Sequence, residues 1–167
     1  MKYKKNIKGI IYFLILIFAG IQFFRPARNI SSTSGNYSND IQLKYNVPDS
    51  IQSLLKTSCY DCHSNNTNYP WYAAVQPIAW WLNNHIQEGK KEINFSEFTA
   101  YPIRRQYKKL KDIVDQVKEG DMPLSSYTLI HRNAILKEKQ QVYIINWANH
   151  LRDSFKLVYP PDSFTKK

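Results

Sequence analysis

Apolar side chains recur at helical spacing in four stretches of the chain. Ile51, Leu54, Leu55 and Ser58 trace one face of a helix expected from residue 48 to about 60, with Asp49 or Ser50 placed to cap it. Ile78, Trp81, Leu82, His85 and Ile86 form the stripe of a second, from about 77 to 88. Pro77 is a favoured first helical residue, and Gly89 reads as the stop. A third, over about 103–118, turns Ile103, Tyr107, Leu110, Ile113, Val114 and Val117 inward and ends at Gly120. A fourth covers about 135–155, with Gln141, Ile144, Ile145, Ala148, Leu151 and Phe155 on one side. Residues 65–71 are turn chemistry, and 90–98 read as irregular with Ser96 a candidate cap. No stretch sustains period-two alternation, so the fold class expected is all-α.

The chain opens differently. Residues 9–24 (GIIYFLILIFAGIQFF) are uncharged and stand behind Lys2, Lys4, Lys5 and Lys8. As a helix this run measures about 24 Å, somewhat short of the ~30 Å hydrocarbon core. Lys8 and Arg25 can snorkel, and Phe23 and Phe24 suit an interface. The expectation is a basic cytoplasmic leader, 1–8, followed by a single-pass signal anchor, 9–25. A cleaved signal peptide is the competing reading; the pairs just after the apolar core, Ile17/Ala19 and Phe18/Gly20, lack its small-x-small pattern. Either way the positive-inside rule leaves the lysines inside and the rest on the periplasmic side of the inner membrane. The Ser/Asn-rich stretch 26–42 reads as a flexible linker whose polar dozen residues span about 20 Å. The folded domain is expected over 43–158 and a tail over 159–167.

Composition narrows the function. A length of 167 residues suits one compact domain with an appendage, and 43% apolar residues supply a core. Five Gly, with no GxGxxG or GxxxxGK[ST], argue against nucleotide-binding α/β folds. The net charge of +10 is concentrated at the start: residues 1–28 hold six basic groups and no acid, and the other 139 hold 17 basic and 13 acidic groups, +4. The excess is topological information, and no nucleic-acid partner is expected.

The two cysteines both lie in Cys59-Tyr60-Asp61-Cys62-His63. CxxCH is the attachment signature of c-type haem. Two thiols one helical turn apart add across the two vinyl groups of one porphyrin, and the adjacent imidazole is then held against the iron. A disulfide or a zinc site are the alternatives; zinc would need a fourth ligand from a distant His. The expected cofactor is haem c, iron-containing and covalently attached, a modification made outside the cytoplasmic membrane. The aromatic content of 14% suits the walls of a flat porphyrin.

The chain resembles the haem-binding domain family of small membrane-anchored bacterial c-type cytochromes. The matching stretches are the apolar run ending IQFFRP, then SCYDCHSNNTNYPWY, HIQEGKKEINFSEF, GDMP and IINWANH, which together cover most of residues 9–152. CxxCH is generic to cytochromes c; the NNTxYPWY tail and the GKKEINFSEF block are more specific. The resemblance implies a cytochrome c-like helical domain around one covalent haem, with His63 as proximal ligand and Met122 as distal. It implies no pathway.

The residues themselves leave the sixth ligand open. Met122 follows a helix stop in Gly120-Asp121-Met122-Pro123, and Pro123 favours an extended presentation of its thioether. A lone Met is otherwise a core filler. His85 lies on an apolar stripe, where it could ligate iron, bond a propionate or be a hydrogen-bonded core residue. His131 and His150 are further candidates. Trp71, Trp80, Trp81 and Trp147 are candidates to wall the cofactor, where an indole N–H could bond a propionate, or to pack the core; Trp71 is the one taken as cofactor-binding. Arg104, Arg105, Lys108, Lys109 and Lys111 suggest a docking patch for an acidic redox partner, propionate compensation, or a solvated helix face. Asp61 and the Asp112/Asp115 pair read as exposed helix chemistry.

The function expected is haem c binding and single-electron transfer to redox partner proteins by a membrane-tethered monohaem cytochrome, with no catalytic residues and no enzyme activity. The alternative is a five-coordinate haem sensor or haem enzyme using His85 or His131 as a distal group.

Overall fold

A computed structural model describes residues 2–31 and 38–165, with side chains from residue 7. The centre of the expected linker, 32–37, and the last residues of the tail, 166–167, lie outside these. The described residues form α1 (Lys2–Ile21), α2 (Ile41–Lys44), α3 (Asp49–Ser58), α4 (Tyr60–His63), α5 (Ile78–Glu92), α6 (Ile103–Glu119), α7 (Ser125–Thr128) and α8 (Glu138–Val158). Single 3-10 turns cover Trp71–Ala74, Phe95–Ala100, Arg132–Ala134 and Pro161–Phe164. Among the described residues there is no strand, and the one β feature is an isolated bridge between Ile30 and Asn66. The fold is all-helical, as the periodicity requires.

The core forms where the stripes meet. α6 packs along α8, and α3 packs against α8. Ile51 and Leu55 of α3, Leu110 and Val117 of α6, and Ile144 and Phe155 of α8 are all buried, together with Phe95 and Phe98 from the 3-10 turn. That turn sits in the stretch read as irregular. Its cap is Asn94, whose side chain accepts from the Ser96 N–H, rather than Ser96. Gly120 closes α6 in the left-handed region at φ 78°, which suits a residue without Cβ. The N–H groups of Asp121 and Met122 then both donate back to the Gln116 carbonyl, so the helix end fixes where Met122 emerges.

Three expectations change. The helical start is not 9–25: α1 ends at Ile21, includes the lysines, and leaves about 20 Å of uncharged helix from Gly9. No helix among the described residues is long and apolar enough to cross a membrane. The 26–42 stretch is also not simply a linker, because both its described ends are docked. Gln22 donates to the Gln76 carbonyl and accepts from the Gln76 N–H, while the buried Gln76 side chain and the Trp80 indole both donate to the Phe24 carbonyl. Asn29 is buried with its amide donating to Ser64 O and Thr67 Oγ1 at 2.9 Å each. At the far end Asp40 caps α2 and Ile41 is fully buried. These polar residues make specific bonds, which composition alone does not reveal.

Finally, Gly89 does not stop a helix. α5 runs through it to Glu92. A Cβ at this position would lie 2.8 Å from the Cys62 carbonyl oxygen and 3.2 Å from Cys62 Cβ. The glycine is needed because α5 and α4 touch backbone to backbone.

Candidate cofactor-binding site

That contact builds one wall of a cavity of about 630 Å³ between α4, α5, α6 and the loop after α6. Such a volume lies within the roughly 300–1,000 Å³ of small-molecule and cofactor pockets. Cys59, Cys62, His63, His85 and Met122 all line it, as do the apolar Ile93, Phe95, Ile113, Val117, Leu124 and Ile144. The sequence separations of up to 63 residues are thus closed into one site. Trp71 does not line it: it is 84% exposed, with an edge contact to Tyr72. His131 also lies outside the lining, its Nε2 within 2.6 Å of the Tyr72 hydroxyl, and His150 is exposed on α8.

α4 is short, and its orientation comes from its neighbours. Tyr60 stacks on buried Phe95 with centroids 5.2 Å apart, and its hydroxyl donates to Asp40. Behind the motif, the Asn94 amide donates to Asn65 Oδ1, the Asn65 amide donates to Glu97, and the Asn65 N–H donates to the Ser96 hydroxyl. The NFSE segment is therefore the shelf on which the CxxCH turn rests. Sequence reading missed Phe95, Asn94 and Asn65 as site residues; the one signal was their place in the distinctive blocks after the motif.

His63 is held from its back. Nδ1 is 2.8 Å from the Gly89 carbonyl oxygen and 3.1 Å from that of Ile93. Two carbonyls can only accept, so Nδ1 carries the proton and donates, and Nε2 keeps a free lone pair on a side chain that lines the cavity. Burial lowers the His63 pKa against the pull of those carbonyls, which favours the neutral ring that a metal ligand requires.

The thiols are unbonded to each other. Burial pushes Cys59 up to about 12, helped by the neighbouring Cys62, and pushes Cys62 up to about 11, helped by Asp61. Protonated thiols of this kind are poor thiolate nucleophiles and poor ready-made zinc ligands. Among the described residues no three His, Cys, Asp or Glu side chains converge as a metal-binding group.

One rim of the cavity is charged. Lys109, its side chain only 13% exposed, lies 2.9 Å from Glu92 and 3.1 Å from Asp112. Burial pulls its pKa down, but these carboxylates outweigh it and leave Lys109 raised, hence cationic. The basic group on α6 is mostly engaged locally: Arg105 lies over the Tyr101 ring and donates to the Lys91 carbonyl, and Lys111 pairs with Asp115. His85, also in the lining and half-buried, lies against Trp81 with ring centroids 4.3 Å apart and tilted by 46°, and its Nδ1 is 2.9 Å from the Trp81 carbonyl. The α5 stripe is accordingly divided: Leu82 and Ile86 are buried, whereas Trp81 and Ile78 stay exposed.

A helical domain around a largely apolar cavity, with an oriented imidazole in its wall, defines a protein built to hold a flat cofactor. Residues 16–150 match the family model described as a haem-binding domain, and the chain belongs to that family. No curated protein matches the chain, and no solved structure does. The residues present fit a haem: an imidazole with a free Nε2, two adjacent thiols and apolar walls share one cavity.

Proposed function

We propose that this haem-binding protein is a monohaem c-type cytochrome that transfers single electrons. Cys59 and Cys62 would hold the porphyrin as thioethers, His63 Nε2 would be the proximal ligand and Met122 the distal one. The observation that carries this reading is the double carbonyl acceptance at His63 Nδ1, which fixes tautomer and ring direction toward the cavity. Met122 is preferred to His85 because its backbone is tied to the Gln116 carbonyl, whereas His85 sits on the partly exposed face of α5. When bound, the group would supply a one-electron iron couple, whose potential ligation by one thioether and one imidazole would raise relative to two imidazoles. Lys109 is the cation in the lining, and it would meet a propionate by exchanging one of its partners, Glu92 or Asp112. With His63 and Met122 both holding the iron, no position would be left for a substrate, so the protein would act on partner proteins by electron exchange rather than as an enzyme.

On this reading the domain would lie on the outer side of the cytoplasmic membrane, where haem would be attached covalently. α1 supports membrane attachment: Ile10, Phe13, Leu14, Leu16 and Phe18 are each at least half exposed, on all sides of the helix. Deleting residues 2–17 keeps the Gln22–Gln76 bonds and is expected to move the protein from the membrane fraction to the soluble one, with its absorption spectrum unchanged.

The central test is expression in a host equipped for cytochrome c maturation. The product is expected to be red, to retain its haem in acidified organic solvent, to show the long-wavelength band of sulfur-ligated ferric haem, and to refuse carbon monoxide when reduced. Extractable pigment would overturn covalent attachment; rapid carbon monoxide binding would overturn six-coordination and favour a sensor or enzyme using His85.

A further inference from the structure

Two walls of the cavity, the CxxCH helix and the loop that carries Met122, are joined by a bond from Tyr127. This residue lies on α7, five positions after Met122, lines the cavity, and donates its hydroxyl to Asp61 Oδ2 at 2.7 Å. Asp61 stands between the two cysteines and is itself fixed. Its Oδ1 accepts from the Asn68 N–H at 3.1 Å, and its backbone carbonyl accepts from the Thr67 hydroxyl at 2.7 Å. Tyr127 is braced from the other side as well: the His131 ring stacks on it at 4.3 Å and 13°, and His131 is held in turn by Tyr72. The path Tyr72, His131, Tyr127, Asp61 thus runs from the 3-10 turn at Trp71–Ala74, through the segment after Met122, to the middle of the haem-attachment motif.

We propose that Tyr127 and Asp61 form a latch that positions Met122 over the haem iron. The inference rests on the cytochrome reading above and assigns these two as positioning residues, neither of them a ligand. The physical need is plain. A methionine side chain has three rotatable bonds and its thioether is a neutral, soft donor, so the side chain alone does little to hold its position. The Met122 loop must therefore be placed by other contacts. Its own backbone tie is the donation to the Gln116 carbonyl, which anchors the loop to α6 but not to the motif that holds the porphyrin. Tyr127–Asp61 supplies that second anchor, and it sits on the motif itself. A hydrogen bond to a charged acceptor shifts an opening equilibrium by about tenfold to a hundredfold.

Tyr127→Phe removes the hydroxyl and keeps the ring that stacks on His131, so the mature holoprotein is the material to test. Relative to wild type, the reduced Tyr127→Phe protein is expected to bind carbon monoxide about tenfold to a hundredfold more readily. Its ferric sulfur band should weaken, while covalent haem and far-ultraviolet helix signal persist. Asp61→Asn, which exchanges a charged acceptor for a neutral one, is expected to move the same readouts less far, and the double variant to add little to Tyr127→Phe alone. Should Tyr127→Phe fail to accumulate, Asp61→Asn decides by the same two readouts. A variant with the wild-type sulfur band and the wild-type refusal of carbon monoxide would overturn the latch and leave the cytochrome reading intact. A wild-type protein that retains haem but lacks the sulfur band would overturn both the latch and Met122 as ligand.

Discussion

His63→Ala is expected to abolish the low-spin haem spectrum and to cut the yield of haem-loaded protein severely. In this structure the imidazole has two jobs that a methyl group cannot share. Its Nε2 offers the cavity a lone pair, and its Nδ1 proton satisfies the Gly89 and Ile93 carbonyls at 2.8 and 3.1 Å. Losing a residue that merely orients a ligand costs tenfold to a hundredfold in affinity, by order of magnitude, so losing the ligand itself should exceed about a hundredfold. The apoprotein should also lose about 1–3 kcal/mol, because the Ile93 carbonyl loses this donor while the Gly89 carbonyl keeps only the Ile93 N–H at 2.9 Å. Haem per protein, from the absorption of the purified product, measures the first effect; chemical denaturation of the apoprotein measures the second. Added imidazole should restore a low-spin spectrum to whatever haem remains attached through Cys59 and Cys62. An unchanged spectrum in His63→Ala would mean that another side chain, His85 being the other imidazole in the lining, is the proximal ligand.

Much of this site was legible because its chemistry is local in sequence. Cys59, Cys62 and His63 lie within five residues, and four amphipathic stripes announced helices whose buried positions include Ile51, Leu55, Leu110, Val117, Ile144 and Phe155. Met122 could be singled out because Gly120 and Pro123 bracket it, and the structure adds the Gln116 carbonyl as its tie. What stayed hidden were contacts between polar residues far apart in the chain. Asn29 bonds Ser64 and Thr67, Asn94 bonds Asn65, and Tyr127 bonds Asp61 across 66 positions. A hydrogen bond of this kind needs only a donor, an acceptor and the right fold, so it leaves no periodicity to read. Hence 26–42 resembled a linker and Asp61 resembled surface chemistry. Trp71 illustrates the converse: a large flat indole suits a haem wall, yet the fold leaves this one in solvent. The helix over Ile78–Glu92 was read one turn short because a glycine has two uses, as a stop that needs left-handed backbone and as a gap that admits a neighbour.

Gly89→Ala separates those two uses by the sign of its effect. At a helix interior, alanine normally stabilises by about 1 kcal/mol relative to glycine. Were Gly89 simply a weak helical residue or a fraying end, the variant would be neutral or more stable. Here the new Cβ would meet the Cys62 carbonyl oxygen at 2.8 Å and the Cys62 carbonyl carbon at 3.3 Å, both backbone atoms with no rotamer to give way. α4 must move from α5, and overpacking of this kind costs about 1–3 kcal/mol, which outweighs the propensity gain. Net of the propensity gain the loss is up to about 2 kcal/mol, and at roughly 2–4 °C per kcal/mol for a chain of this size the Tm should fall by up to about 8 °C. The displacement has a chemical consequence too, since the Gly89 carbonyl is the closer acceptor for His63 Nδ1 and Cys62 is the residue pushed away. Haem loading should therefore drop together with the Tm, and more steeply in Gly89→Val. Gly20→Ala is the matched control: it lies near the end of α1 with nothing within 4 Å of the added carbon, so both readouts should stay at wild-type values or better. A Gly89→Ala protein as stable and as haem-replete as wild type would show that the α4–α5 contact does not govern the site.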